Sequence, residues 1–313
     1  MLPKMDSGES KLLSICIPTY NRIEYLKKTL DSIVNQEGFA EQCEIVISDN
    51  NSSDNTAEII NEYVTLYDNI RYYRNNTNIG ADMNFISAMD FAQGKYIKLH
   101  GDKVCFCETG LTRLIRYLED IDVSVAFLIN CQTNLREKGM ISCNTFDEFV
   151  QKVSYWSTWM SGIVLRNSDY HSLENKERAM GSFLIQTDIM FRIICKSPVS
   201  QVINERLIFE QPIDAKSGYN LFEVFINNYL GFYNEYCDAG LLCKETLKKE
   251  KTKLLLKFIF PMYTENVLRK KNHFEIRNAN RIILQYYKNY PQLLLYPIYC
   301  LTYYSKLAYR WFK

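Results

Sequence analysis

Three short polar clusters, each closing an apolar run, carry the side chains of this chain best suited to chemistry. The stretch Leu12–Arg22 reads LLSICIPTYNR and ends in Pro18, Thr19, Tyr20, Asn21 and Arg22. Glu44–Ser48 (EIVIS) ends in Asp49 and a polar run to Asp54. Lys95–Leu99 (KYIKL) ends in His100, Gly101, Asp102 and Lys103. Between the last two lie Asn78, Gly80 and Asn84. If the apolar runs are parallel strands, these clusters form one rim, because ligands of open α/β sheets bind outside the carboxyl ends of the strands. A lone strand-end aspartate is more often a solvated turn or helix-cap residue. Asn51–Asp54 read that way, with Asp54 or Asn55 capping the next helix.

The elements that must position these groups alternate. Strands are expected at Leu12–Ile17, Glu44–Ser48, Ile70–Arg74, Tyr96–Leu99 and Val123–Ile129. Between them, Tyr25–Asn35, the stretch with Ile59, Ile60, Tyr63, Val64 and Tyr67 inward, Met83–Ala92 and Glu108–Glu119 follow the helical period. That alternation predicts βαβ units, a mostly parallel sheet and helices on both faces. Further on, a short strand is expected at Gly162–Leu165, a helix at Phe183–Cys195 and one strand over Val199–Phe209. After Gly218 the pattern is helical to the end.

Composition narrows the class. Hydrophobic residues form 47% of the 313, which supports a sizeable core and argues against disorder. The net charge is only +1, yet Lys244–Lys313 holds 15 Lys+Arg against 4 Asp+Glu, a local net of +11. Such asymmetry points to an anionic partner for the tail. The ten cysteines include no CxxC pair, and with three histidines the lone Cys105-x-Cys107 makes a poor zinc centre. Reduced thiols in a cytoplasmic protein are the plain expectation. The opening MLPKMDSGES has no apolar core of a secretory signal. Leu293–Tyr304 is shorter than the ~20 apolar residues of a spanning helix and contains Pro297.

The ordered series IPTYNR, ISDNNSSDNT, RNNTNIGADMNF and AQGKYIKLHGD resembles the family 2 glycosyltransferases of the GT-A fold. The nearer likeness is to the abequosyltransferase-like branch of bacterial polysaccharide enzymes. The resemblance implies a GT-A domain over 1–215 and a helical extension over 216–313. It implies inverting transfer of a sugar from a nucleotide-sugar donor to a glycan or lipid-linked oligosaccharide acceptor. Carried over, Pro18, Thr19 and Tyr20 would frame base and ribose, and Asn21 or Arg22 would fix their loop. Asp49 would accept a hydrogen bond from the base, and Asn78 and Gly80 would lie under the nucleotide.

Relatives usually end the third strand in several carboxylates that hold ribose and a divalent metal. Here Asp102 stands beside Lys103. Mg2+ or Mn2+ is therefore expected through Asp102 alone, completed by phosphate oxygens and water; alternatively, the Lys103 ammonium replaces part of the metal's charge at the leaving diphosphate. The base position of the family maps onto Gly181–Asp188, which makes Asp188 the candidate, with Thr187 in place of the usual Glu. Trp156 and Trp159 offer flat faces to an acceptor sugar, although aromatic clusters are more often core. The basic aromatic tail (KETLKKEKTKLLLK and PQLLLYPIYCLTYYSKLAYRWFK) suits the headgroup zone of an anionic membrane, placing the protein on the inner face of the cell membrane. The plain alternative is an amphipathic cover for the sheet domain. No nucleic-acid motif accompanies the tail. A dinucleotide oxidoreductase is disfavoured because no GxGxxG follows the first strand. A catalytically weak glycan- or nucleotide-binding scaffold is the competing reading.

Overall fold

The computed structural model describes residues 11–132, 135–212, 218–270 and 274–311. The expected boundary at 215/216 and the opening segment 1–10 lie outside the described residues. The chain divides into two compact units, Met1–Gly181 with Ile185–Pro212, and Ser182–Leu184 with Ile213–Lys313.

Among the described residues the first unit is built on ten strands: β1 (Leu13–Thr19), β2 (Cys43–Asp49), β3 (Ile70–Arg74), β4 (Tyr96–Leu99), β5 (Val104–Phe106), β6 (Val125–Leu128), β7 (Gly139–Cys143), β8 (Ile163–Arg166), β9 (Ser200–Asn204) and β10 (Ile208–Glu210). Eight form one sheet in the order β3-β2-β1-β4-β8-β6-β9-β7, and β10 pairs with β5 in a small second sheet. The β3-β2-β1-β4 half is parallel throughout, whereas β8 runs antiparallel to both β4 and β6. β1 and β2 are buried along their whole length. Strands covered on both faces read as continuous apolar runs, which is why LSICIPT and CEIVISD stand out in the sequence.

Helices supply the cover. Ile23–Val34 buries Ile23, Leu26, Thr29, Leu30 and Ile33 at helical spacing against the sheet. Thr56–Leu66 starts where Asp54 accepts the Thr56 amide at 3.2 Å, and Ala81–Asp90 starts behind Gly80, whose φ of 83° suits glycine. Gly162 is required by close packing: a Cβ there would lie 2.5 Å from the Phe127 ring.

Two expectations change. Val199–Phe209 is two strands in two sheets, because Glu205 and Arg206 turn the chain from β9 to β10. β5 and β7 were not anticipated, being three and five residues long without a clear period. The mostly parallel sheet flanked by helices matches expectation.

The second unit is helical over 221–238, 244–268, 279–287 and 296–311. Its core includes Leu221, Phe222, Tyr229, Tyr233, Leu254, Ile259, Phe260 and Tyr287. Glu250 is buried there and accepts the Tyr229 hydroxyl at 2.9 Å. Among the described residues no helix is long and apolar enough to cross a membrane.

Candidate active site

Strand register brings the polar clusters together. Thr19 lies opposite Asp49 in the β1–β2 pair. Cys16 lies opposite Leu99 in β1–β4, and the His100 amide continues that ladder to the Cys16 carbonyl at 2.9 Å. The next residues therefore run beside Thr19, whose hydroxyl donates to Asp102 at 3.1 Å. Arg22, from the loop after β1, reaches the other Asp102 oxygen at 3.3 Å. Burial pushes the Asp102 carboxyl above its ordinary pKa, and Arg22 and Thr19 oppose that rise.

A cavity of about 420 Å³ opens at this rim. Pro18, Thr19, Tyr20, Asn78, Gly80 and Asp102, all expected at the nucleotide, line it together with Arg22. An amide network fixes its floor. Asn50 donates to Asn78 at 2.7 Å and accepts the Ile79 amide at 2.8 Å. Asn84 accepts from Ser48 at 2.8 Å and from Asn75 at 3.0 Å. The N-terminus of the Ala81–Asp90 helix, with no side-chain cap at Gly80, opens beside Gly80 and Ala81, a setting that favours anions.

Three expected residues stand elsewhere. Asp49 is fully buried and does not line the cavity; its oxygens accept the Ser52 amide at 2.9 Å and the Tyr72 hydroxyl at 2.7 Å. Asn50, one residue on, lines the cavity instead. Asn21 holds the next loop, accepting the Ser53 amide at 2.7 Å. Lys103 turns to Glu210, 2.9 Å away.

Glu210 belongs to a second cleft of about 620 Å³, lined also by Trp156, Trp159, Arg206 and Phe209. Its other oxygen accepts the Trp159 indole N–H at 2.8 Å. Trp159 and Met160 are consecutive, one lining this cleft and the other the first cavity. Lys103 likewise follows Asp102. Glu210 and Trp159 thus line the second cleft, and Lys103 and Trp159 are each next in sequence to a residue, Asp102 or Met160, that lines the first cavity. Sequence reading missed Glu210 because only the β5–β10 pairing, which sets Glu210 opposite Val104, brings it to Lys103.

Asp188 lines neither cavity. It is fully buried near the start of helix Ile185–Lys196, where Arg178 Nε lies 2.9 and 3.0 Å from its two oxygens and Arg192 adds an ion pair at 3.6 Å. The geometry gives it the work of holding two guanidinium groups.

Behind the site, Lys98 is wholly buried and donates to the Ser161 carbonyl at 2.5 Å. Burial lowers its pKa to about 7. Ser161 Oγ in turn accepts the Gly101 amide at 3.0 Å, so Lys98 steadies both Gly101 and the Met160 turn. His100 is buried, its pKa driven well down by burial and by Lys98; its Nε2 meets the Val104 carbonyl at 2.8 Å, which requires the proton on that nitrogen.

The residues do not by themselves make a divalent metal site. Asp102 is one carboxylate with both oxygens engaged, and among the described residues no group of three His, Cys, Asp or Glu could hold an ion.

The model of the family described as "Glycosyl transferase family 2" matches residues 14–193. Abequosyltransferase RfbV of Salmonella typhimurium is 44% identical over 109 residues, 34% of this chain and 33% of that protein. The Campylobacter jejuni GalNAc(5)-diNAcBac-PP-undecaprenol beta-1,3-glucosyltransferase is 35% identical over 91 residues, 29% of each. These matched stretches span a third or less of either relative's length. In fold, the chain is similar to S. aureus TarS 1-349 solved in complex with UDP, with a TM-score of 0.58 at 14% identity, covering 84% of this chain and 78% of that one.

Proposed function

Because this chain belongs to glycosyl transferase family 2, we propose that it moves a sugar from a nucleotide-diphosphate sugar to an acceptor hydroxyl, with inversion, in the assembly of a bacterial surface polysaccharide such as O-antigen or capsule. The observation that carries this reading is the convergence of Thr19, Arg22, Asn78, Gly80 and Asp102 on one cavity at the strand ends. TarS, solved with UDP, and the RfbV and undecaprenol-linked relatives, by their names, act in keeping with it.

In this reading the nucleoside occupies the wall of Pro18, Thr19 and Tyr20, with Asp102 toward the ribose. Asp49 supports that wall from behind, through Ser52 and Tyr72. The diphosphate lies against Arg22 and the N-terminus of helix Ala81–Asp90. A full charge pair at ~4 Å and an effective dielectric of ~20 is worth at most about 4 kcal/mol. Only the part gained as charge develops on the leaving group accelerates the reaction. A Mg2+ or Mn2+ ion would find Asp102 as its one nearby carboxylate, and no step is routed through it.

The acceptor lies in the Trp156/Trp159 cleft. Its hydroxyl oxygen bonds to the anomeric carbon, the bond from that carbon to the diphosphate oxygen breaks, and the electron pair leaves with the diphosphate. The hydroxyl proton passes to a carboxylate. Asp188 lines neither cavity and can take it only if its arginine clamp opens, whereas Glu210 lines the acceptor cleft itself. The exposed apolar and basic tail keeps the protein at an anionic membrane surface, where a lipid-linked acceptor would be met.

A thermal-shift screen against UDP-, GDP-, CDP- and dTDP-sugars tests the donor reading. At least one should raise the melting temperature, and no shift with any would refute it. The scaffold reading draws on the lack of a second carboxylate beside Asp102. It requires that the stabilising donor is bound yet never hydrolysed or transferred.

A further inference from the structure

The second unit contains a cavity of about 430 Å³ whose walls include Ile259, Phe260, Ile283, Leu284, Leu293 and Leu294. The two tyrosine hydroxyls on its walls are already bonded. The Tyr263 hydroxyl donates to Asn280 at 2.6 Å, and the Tyr296 hydroxyl lies 3.0 Å from Thr264 Oγ1. Neither hydroxyl asks a ligand for a hydrogen bond, and the rest of the lining is mainly aliphatic and aromatic, so the space suits hydrocarbon. It is nearly three times the ~150 Å³ apolar cavity that holds a benzene.

The surroundings say which hydrocarbon. Leu284 and Leu294 of the lining are 52% and 79% exposed, and Ile298 and Leu301, four and seven positions past Leu294, are 58% and 73% exposed. That spacing sets an apolar stripe beside the mouth. On the helix Ala279–Tyr287 and its end, Arg281 and Lys288 flank Leu284 at three residues before and four after. Both are exposed, and neither has an ion-pair partner among the described residues. The segment Lys244–Lys313 carries a net +11, so a second copy of this chain would bring like charge.

We propose that this cavity takes the hydrocarbon chain of an anionic lipid, with the lipid's phosphate held by Arg281 and Lys288. The proposal rests on the membrane-surface reading above and deepens it. The cavity grips one chain, while the stripe of Leu294, Ile298 and Leu301 lies in the surface of the bilayer.

The test uses the full chain and two independent readouts. Isothermal titration with farnesyl phosphate, below its aggregation range, reads the cavity without a membrane. One molecule should bind per chain, farnesol should bind at least tenfold more weakly, and inorganic phosphate should give no signal. Leu284→Trp, at an exposed position where folding is spared, should fill the mouth and weaken farnesyl phosphate at least tenfold. The pair Arg281→Glu and Lys288→Glu should do the same by charge. No binding by the natural chain, or equal binding by Leu284→Trp, overturns the proposal. A dimer broken by Leu284→Trp would assign the face to a second copy and overturn it too. Flotation with phosphatidylglycerol vesicles reads the membrane surface separately. Farnesyl phosphate bound without flotation sinks the membrane reading and leaves the cavity assignment standing; flotation without farnesyl phosphate binding does the reverse.

Discussion

Asp188→Asn separates a structural carboxylate from a catalytic one. The native side chain is fully buried and pairs with Arg178 and Arg192, whose side chains are 28% and 18% exposed. Asparagine keeps the shape and one acceptor oxygen but removes the charge. Breaking a buried pair by removing one partner costs about 3–5 kcal/mol. The partial exposure of both arginines lets them recover some hydration, and Arg192 keeps its bonds to the Asn175 and Glu174 carbonyls. We therefore expect the low end, about 3 kcal/mol. For a unit of this size each kcal/mol moves the midpoint by about 2–4 °C, so Tm should fall by roughly 6–12 °C. The assay is paired: thermal unfolding, and turnover measured well below the lowered transition. The expected outcome is a large loss of stability with most turnover kept in the folded fraction. A Tm within ~2 °C of the natural chain, with turnover down 100-fold or more, would refute this reasoning and make Asp188 the base.

Glu210→Gln is expected to show the opposite pattern: kcat down about 10²–10⁴-fold at unchanged Tm and donor affinity, with turnover within fivefold of normal counting against it. Lys98 should leave a mark on pH dependence. Between pH about 7 and its ordinary 10.5, the unfolded chain holds a proton that the folded chain has released, so stability rises with pH across that window and is lost as pH falls through it. The full span is about 5 kcal/mol by order of magnitude. Lys98→Met should flatten that rise in urea melts at pH 7 and pH 10, and an unchanged slope would show the amine to be charged in the fold. Excess EDTA should cost less than tenfold in turnover while Arg22→Ala costs more than tenfold; the reverse order would give the diphosphate to a metal. Leu301→Glu should abolish flotation on anionic vesicles without altering Tm, and undiminished flotation would remove the tail from the contact.

Much of the parallel half of the sheet could be read directly. Its strands β1 and β2 are seven residues long, doubly covered and apolar, and their ends carry polar residues that register then gathers. What could not be read was which of two adjacent residues faces the cavity. Side chains alternate across a strand, so a shift of one position separates buried Asp49 from cavity-lining Asn50. The same limit applies to Asp188. Its place near a helix start was legible, but its partner Arg178 sits in a separate turn and is met only through tertiary packing. Lys103 looked free to meet a phosphate because its neighbour Glu210 lies 107 positions along the chain, on a three-residue strand with no periodic signal.

The most direct test is the titration of UDP, GDP, CDP and dTDP onto the natural chain and onto Arg22→Ala, read by calorimetry. At least one diphosphate should bind at one site per chain, and losing Arg22 should weaken it tenfold or more. Failure of all four to bind, or equal binding by Arg22→Ala, would contradict the placement of the donor at the β1–β2–β4 rim.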